Sequence, residues 1–217
     1  TDLSLIQVQQ ADGDLKLKRI AVGDHWMLGG DNVDLALARL AEQRITSGGR
    51  ALNAASLTQL IQQSRIAKEA LLGESAPETA KVTLLGGGSR LIGAARSAEF
   101  SRQEVRELAL DGFFPLIEFG ALPRKRGAGI VEFGLPYVPD PAVSKYLSQF
   151  LLQHQASCLE ALALSTEGAA IPDAVLMNGG VFNSPLITER AQAVLEHWRG
   201  GPVTRLENRD PHMAGAF

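Results

Sequence analysis

Two adjacent glycines, Gly179 and Gly180, follow the short apolar run Ala174-Val175-Leu176-Met177 and precede a helix-forming stretch, and this arrangement suits the capture of an anion. Glycine has no Cβ, so a ligand can reach main-chain N–H groups, and the helix that follows points the positive end of its dipole at the same place. A nucleotide phosphate is the anion such a turn would take. The same letters also fit a tight turn between a core strand and a core helix. Three other groups of residues read as structural. Gly86-Gly87-Gly88-Ser89 lacks the following helix and the Lys-Ser/Thr pair of a P-loop, and reads as a hairpin turn. Cys158 sits in the apolar register of a helix and reads as a small buried hydrophobe rather than a nucleophile. Arg124-Lys125-Arg126, between Pro123 and Gly127, reads as a solvated loop tip rather than a phosphate-tracking patch.

Composition narrows the partners. With 217 residues, 45% of them hydrophobic, and a formal net charge of −3, the chain is expected to be a soluble globular protein whose main partner is not nucleic acid. No apolar run approaches the ~18 residues that a membrane span needs, and no signal-peptide pattern opens the chain, so no membrane partner is expected. A single cysteine is compatible with a reducing compartment, and a cytoplasmic location is expected. The strand-like run at Asp2 to Val8 and the ending at Ala214-Gly215-Ala216-Phe217 suggest an excised piece of a larger protein.

The elements that must position these residues follow from periodicity. Leu3 to Gln9 and Leu15 to Ala21 read as strands joined by an Asp12-Gly13 hairpin turn. A helix is expected from near Asp31 or Asn32, with Val33, Ala36, Leu37, Leu40, Ala41 and Ile45 on one face and Gly48-Gly49 after its end. Ser56 and Gln59 make a capping-box pattern for a second helix reaching Gly73, and Ser101 with Glu104 makes another for a helix ending near Gly112. Short strands are expected at Val82 to Leu85 and Arg90 to Ile92, and a further one at Gly129 to Phe133. One long helix is expected from Asp140 or Ser144 through Leu162. Ser184 and Pro185 open the helix after the glycine pair, with Gly200-Gly201 beyond its end, and Val203 to Leu206 closes the series as a strand. Strands separated by helices, with hairpins mixed in, predict an α/β domain with a mixed sheet.

Several segments resemble, in order, those of the seventy-kilodalton heat-shock (DnaK-type) chaperone ATPases. Asp2-Leu3-Ser4 resembles the end of that family's second phosphate loop, and His25-Trp26-Met27-Leu28-Gly29-Gly30-Asp31-Asn32-Val33-Asp34 its leucine-glycine-glycine-acidic segment. Arg65-Ile66-Ala67-Lys68-Glu69 occupies the slot of its adenine-contacting lysine helix, Ser101 to Leu108 its returning helix, and Gly179-Gly180 with the following helix its adenosine motif. Asp210 to Phe217 resembles its terminal segment, so the likeness spans nearly everything except about 119–141.

The resemblance implies the second lobe of an actin-like (ribonuclease H-like) ATPase, with a mixed sheet flanked by helices. Residues 1–30 and 109–217 would form its larger subdomain, and 31–108 an inserted small α+β subdomain. It implies ATP or ADP with Mg²⁺ as ligand in the full-length protein. Adenine would lie between the Lys68 helix and the loop after Gly180, with phosphates facing Gly29, Gly30 and the main chain at Gly179. Asp31, Arg65, Glu69 and Asn183 complete the implied nucleotide-binding set, and no residue here is implied as catalytic. The missing first lobe of the same protein is an implied partner, as is a co-chaperone or client protein.

The chain departs from the family at four places around the adenine. Arg65 stands where an acidic residue contacts ribose, Glu69 replaces a basic position, Leu72 a serine, and Asn183 the arginine that stacks on the base. Losing an Arg stack and a hydroxyl contact weakens base binding by an estimated few kcal/mol, enough to bring a tight site to the micromolar range. Phosphoryl transfer needs groups on both sides of the phosphates, so this chain alone is expected to have no appreciable ATPase activity. Two alternatives stay open: a lobe of a sugar or acyl kinase of the same superfamily, and a non-enzymatic actin-like scaffold without nucleotide binding.

Overall fold

The computed structural model describes residues 1–11, 13–85, 95–124, 140–163 and 169–208. Strands β1 (Ser4–Ala11) and β2 (Asp14–Val22) come first, followed by helices α1 (Gly30–Thr46) and α2 (Ala54–Leu71). Strands β3 (Thr79–Leu84) and β4 (Arg96–Ser101) lead into α3 (Arg102–Glu107) and a π-helical turn, Leu108–Phe113. Helices α4 (Val143–Gln153) and α5 (Gln155–Leu162), strand β5 (Ala174–Val175), a 3-10 turn (Gly180–Asn183), helix α6 (Pro185–Arg199) and strand β6 (Thr204–Arg205) complete the chain. The class is mixed α/β. The single mixed sheet expected from sequence is absent among the described residues: the strands pair as three two-stranded sheets, β1–β2 and β3–β4 antiparallel and β5–β6 parallel. Strands of two residues, as in β5 and β6, hydrogen-bond one neighbour and no more.

Two compact units divide the chain. The first comprises Thr1–Leu28, Phe114–Met177 and Arg190–Asn208. Its core gathers Ala21 from β2, Phe150 and Leu151 from α4, Leu195 from α6, and Ile171 and Val203 from the segments before β5 and β6. In the hairpin, Gly13 takes φ 87°, the left-handed conformation that an Asp-Gly turn supplies. The pairing register shifts between Leu5 and Ile6. Past that shift Gln7 faces inward, buried, with its Nε2 donating to the Ala161 carbonyl, while Ile6, Val8, Leu15 and Leu17 are exposed. The long helix expected to reach Leu162 is two helices, because His154 takes φ −108°, ψ 9° and ends α4; its ring meets Phe150 edge-on at 5.0 Å. Cys158 is buried in α5 and burial pushes its thiol pKa up, as befits a packed small hydrophobe. Asp140 sits just before α4 and accepts from the Ala142 and Arg124 N–H groups and from Lys145 at 2.7 Å. Burial would raise its pKa, and these donors outweigh that and hold it low.

The second unit contains Gly29–Phe113 and Asn178–Glu189. Helix α1 buries Leu37, Ala38 and Ala41, α2 buries Leu57, Leu60 and Ala67, and the two pack on each other and on β3 and β4. The α2 cap is Asn53, whose side chain accepts from the Ser56 N–H at 2.9 Å, so the helix starts before the Ser56-Gln59 box expected to open it. The Ser101-Glu104 box is present as expected, with Glu104 accepting the Ser101 N–H at 2.8 Å. The partner of β3 is β4, a strand sequence periodicity did not mark. The expectations at 86–92, at Gly129 to Phe133, at Lys125-Arg126 and at Asp210 to Phe217 fall outside the described residues. No described helix is long and apolar enough to cross a membrane.

Candidate functional site

Every residue of the implied nucleotide set belongs to the second unit. Gly29 precedes α1 in extended backbone, φ 177°, and its N–H donates to the Asn32 side chain at 2.8 Å. That bond spends the Gly29 amide inside the helix cap, so the phosphate contact expected from this N–H is already taken. Gly30 is the first residue of α1. A Cβ there would lie 3.1 Å from Val181 Cγ2 and 3.3 Å from Lys68 Nζ, so both side chains would have to give by a few tenths of an ångström.

Lys68 reaches this point from α2. It donates to the Gly30 carbonyl at 3.3 Å, and its ammonium lies 2.7 Å from Asp34 Oδ1. The pair is deep: the Lys68 side chain is 12% exposed and that of Asp34 2%. The resemblance implies that Lys68 contacts the base and gives Asp34 no role. The structure closes them on each other. Burial raises the Asp34 pKa, the Lys68 hydrogen bond and charge pull it back, Asp31 adds to the rise, and Arg65 opposes it.

The glycine turn is held from the other side. Gly179 takes φ 106°, a conformation that L side chains avoid, and its carbonyl accepts from the Phe182 N–H at 3.0 Å to start the 3-10 turn. That turn lies between the glycines and α6, which begins at Pro185. Ser184, expected to cap α6, uses its hydroxyl instead to donate to the Leu72 carbonyl at the end of α2, at 2.9 Å. Thr188 Oγ1 donates to the Phe182 carbonyl at 2.9 Å and to that of Ser184 at 3.0 Å, fixing the turn on its helix. Ser184→Ala is expected to cost about 0.5–1.5 kcal/mol in chemical denaturation, the net worth of one such bond. An unchanged midpoint would show that the turn does not depend on it.

The remaining residues are less engaged. Arg65 and Glu69 pair with each other at 3.0 Å on the exposed face of α2, and Glu69 raises the Arg65 pKa. Asp31 and Asn183 are exposed. A Cβ at Gly29, Gly179 or Gly180 would meet nothing within 4 Å, so the backbone there borders open space. Among the described residues no cluster of His, Cys, Asp and Glu could hold a metal ion.

Sequence reasoning missed Val181, Ser184 and the pairing of Asp34 with Lys68. The signal for the pairing was present: Asp34 shares the helical stripe of Leu37, Ala38 and Ala41, where a charge demands a buried partner. Compared with known protein families and with curated proteins, the chain matches none.

Proposed function

We propose that this chain is the nucleotide-binding half of an actin-like ATPase of the heat-shock-chaperone kind, taking the phosphates of an adenine nucleotide along its bare glycine backbone. The observation that carries this reading is Gly180, beside open space with no packing contact within 4 Å of a side chain there, together with the Lys68 ammonium at Gly30. Gly179 is favoured by its positive φ, and Gly30 by the close approach of Val181 and Lys68. Gly180 has no such internal reason, and access for a ligand supplies one.

The role is binding, with ATP closing this lobe on another and shifting its partners between states. Hydrolysis would need groups from the other side of the phosphates. ATP, presented with Mg²⁺ and titrated calorimetrically into the 217-residue chain, is expected to bind in the micromolar range. Gly180→Val should fold with an unchanged melting temperature and bind at least about tenfold more weakly, because its branched side chain would occupy the ligand's path. Absence of binding at millimolar ATP, or equal affinity in the variant, would overturn the reading.

One observation favours the scaffold alternative. Lys68 is closed on Asp34 and Gly30, and Arg65 on Glu69, so the cations meant for a nucleotide are already engaged. The same titration decides between the two.

A further inference from the structure

The Asp34–Lys68 pair is deeply buried, and it stands beside Gly30, where α1, the α2 side chain of Lys68 and Val181 of the turn after Gly180 come together. The Lys68 ammonium lies 2.7 Å from Asp34 Oδ1 and donates to the Gly30 carbonyl. The charges around it are unfavourable to an anion. Asp34 and Asp31 come from α1, and Arg65, Lys68 and Glu69 from α2, while the 3-10 turn Gly180–Asn183 contributes none. One negative charge is left in excess. A carboxylate 2.7 Å from the ammonium cancels most of its field a few ångströms away.

We infer that Asp34 is a positioning residue that holds the Lys68 ammonium at Gly30 and masks its charge, so that the site takes phosphate-bearing ligands more weakly than its backbone geometry allows. This rests on the nucleotide reading above. Asp34→Asn isolates the charge: the amide oxygen still accepts from Lys68, at nearly the same volume, and the negative charge is gone.

The test is calorimetric titration of wild-type and D34N chains with ATP, ADP and adenosine, with thermal melts alongside to confirm folding. D34N is expected to bind ATP about three- to tenfold more tightly than wild type, ADP with a smaller gain, and adenosine with none, because the gain scales with phosphate charge. A merely structural Asp34 would move all three ligands together, and in the direction of weaker binding. Should D34N fail to fold, Asp34→Ser, neutral and able to accept from the ammonium, takes its place with the same expected order. ATP binding unchanged or weakened, or an equal gain for adenosine, overturns the role of Asp34 and leaves the nucleotide reading standing. No ATP binding by either chain overturns both, and ATP binding by D34N alone overturns the nucleotide reading of the wild-type chain while supporting the masking role of Asp34.

Discussion

Lys68→Met is expected to lower the unfolding free energy by about 3–5 kcal/mol, the largest single effect of any substitution in the site. The reason lies in what remains. Asp34 is 2% exposed, and without the ammonium its carboxylate has no counter-charge. It must either stay ionised in a poor solvent or take up a proton. The pH dependence follows from that choice. Burial already raises the folded-state pKa of Asp34, and removing Lys68 removes the interaction that pulls it back. A carboxyl whose folded pKa exceeds its unfolded value binds more protons folded than unfolded, so stability falls as pH rises from the unfolded value to the folded one. The loss caused by K68M should therefore be larger at pH 8 than at pH 5, measured by urea denaturation at both. The double variant D34N/K68M should recover part of the loss, since it leaves no unpaired charge. A loss below about 1 kcal/mol, or one independent of pH, would mean that solvent reaches the pair.

Much of this fold is legible from short-range rules, and the failures have identifiable causes. The hairpin at Gly13, the burial of Val33, Leu37 and Ala41 on α1, and the Ser101-Glu104 box depend on residues a few positions apart, so the letters carry them, whereas Leu40, expected on the same face of α1, is exposed and Ala36 and Ile45 are only partly buried. The start of α2 was misplaced because Asn53 and Ser56 both offer capping oxygens, and only the packed helix decides between them. The break at His154 leaves no trace in periodicity, since the apolar spacing of α4 resumes in α5. The inward Gln7 follows Leu3 and Leu5 on one face of β1 at a period of two, so Ile6 and Val8 point outward although they are apolar, and residue type alone does not tell which face meets the core. At the site, the glycines were visible and their consequences were not. Close approach at Gly30 depends on Lys68 and Val181, 38 and 151 positions away, and no local rule reaches across such distances.

Phe100→Ala is the second large effect expected, at about 3–5 kcal/mol, and it acts on the support of the site rather than on its chemistry. The ring, 1% exposed on β4, is part of the surface against which α1 packs. The Arg44 guanidinium from the last turn of α1 stands 4.6 Å above its centroid, which adds about 0.5–1 kcal/mol to the loss. Arg44 is itself held, donating to the Glu99 carbonyl at 2.5 Å and to the Glu104 carboxylate, whose pKa is lowered first by the Ser101 N–H and then by Arg44. The ring thus links β4 to the helix that begins at Gly30 and carries Asp34 in its second turn. Truncating it leaves a cavity that backbone pairing through Ala80–Phe100 cannot close, because that register is fixed along the whole of β3. Hydrogen exchange should accelerate most in α1 and β3, within the second unit, while amides of α4, which packs in the core around Phe150, change less. Phe100→Leu, which fills most of the volume, should cost about 1–2 kcal/mol and leave that exchange pattern nearly intact. Equal acceleration in α4 and α1 would show that the two cores melt as one, and a cost for F100A below about 1 kcal/mol would remove Phe100 from the support of the site.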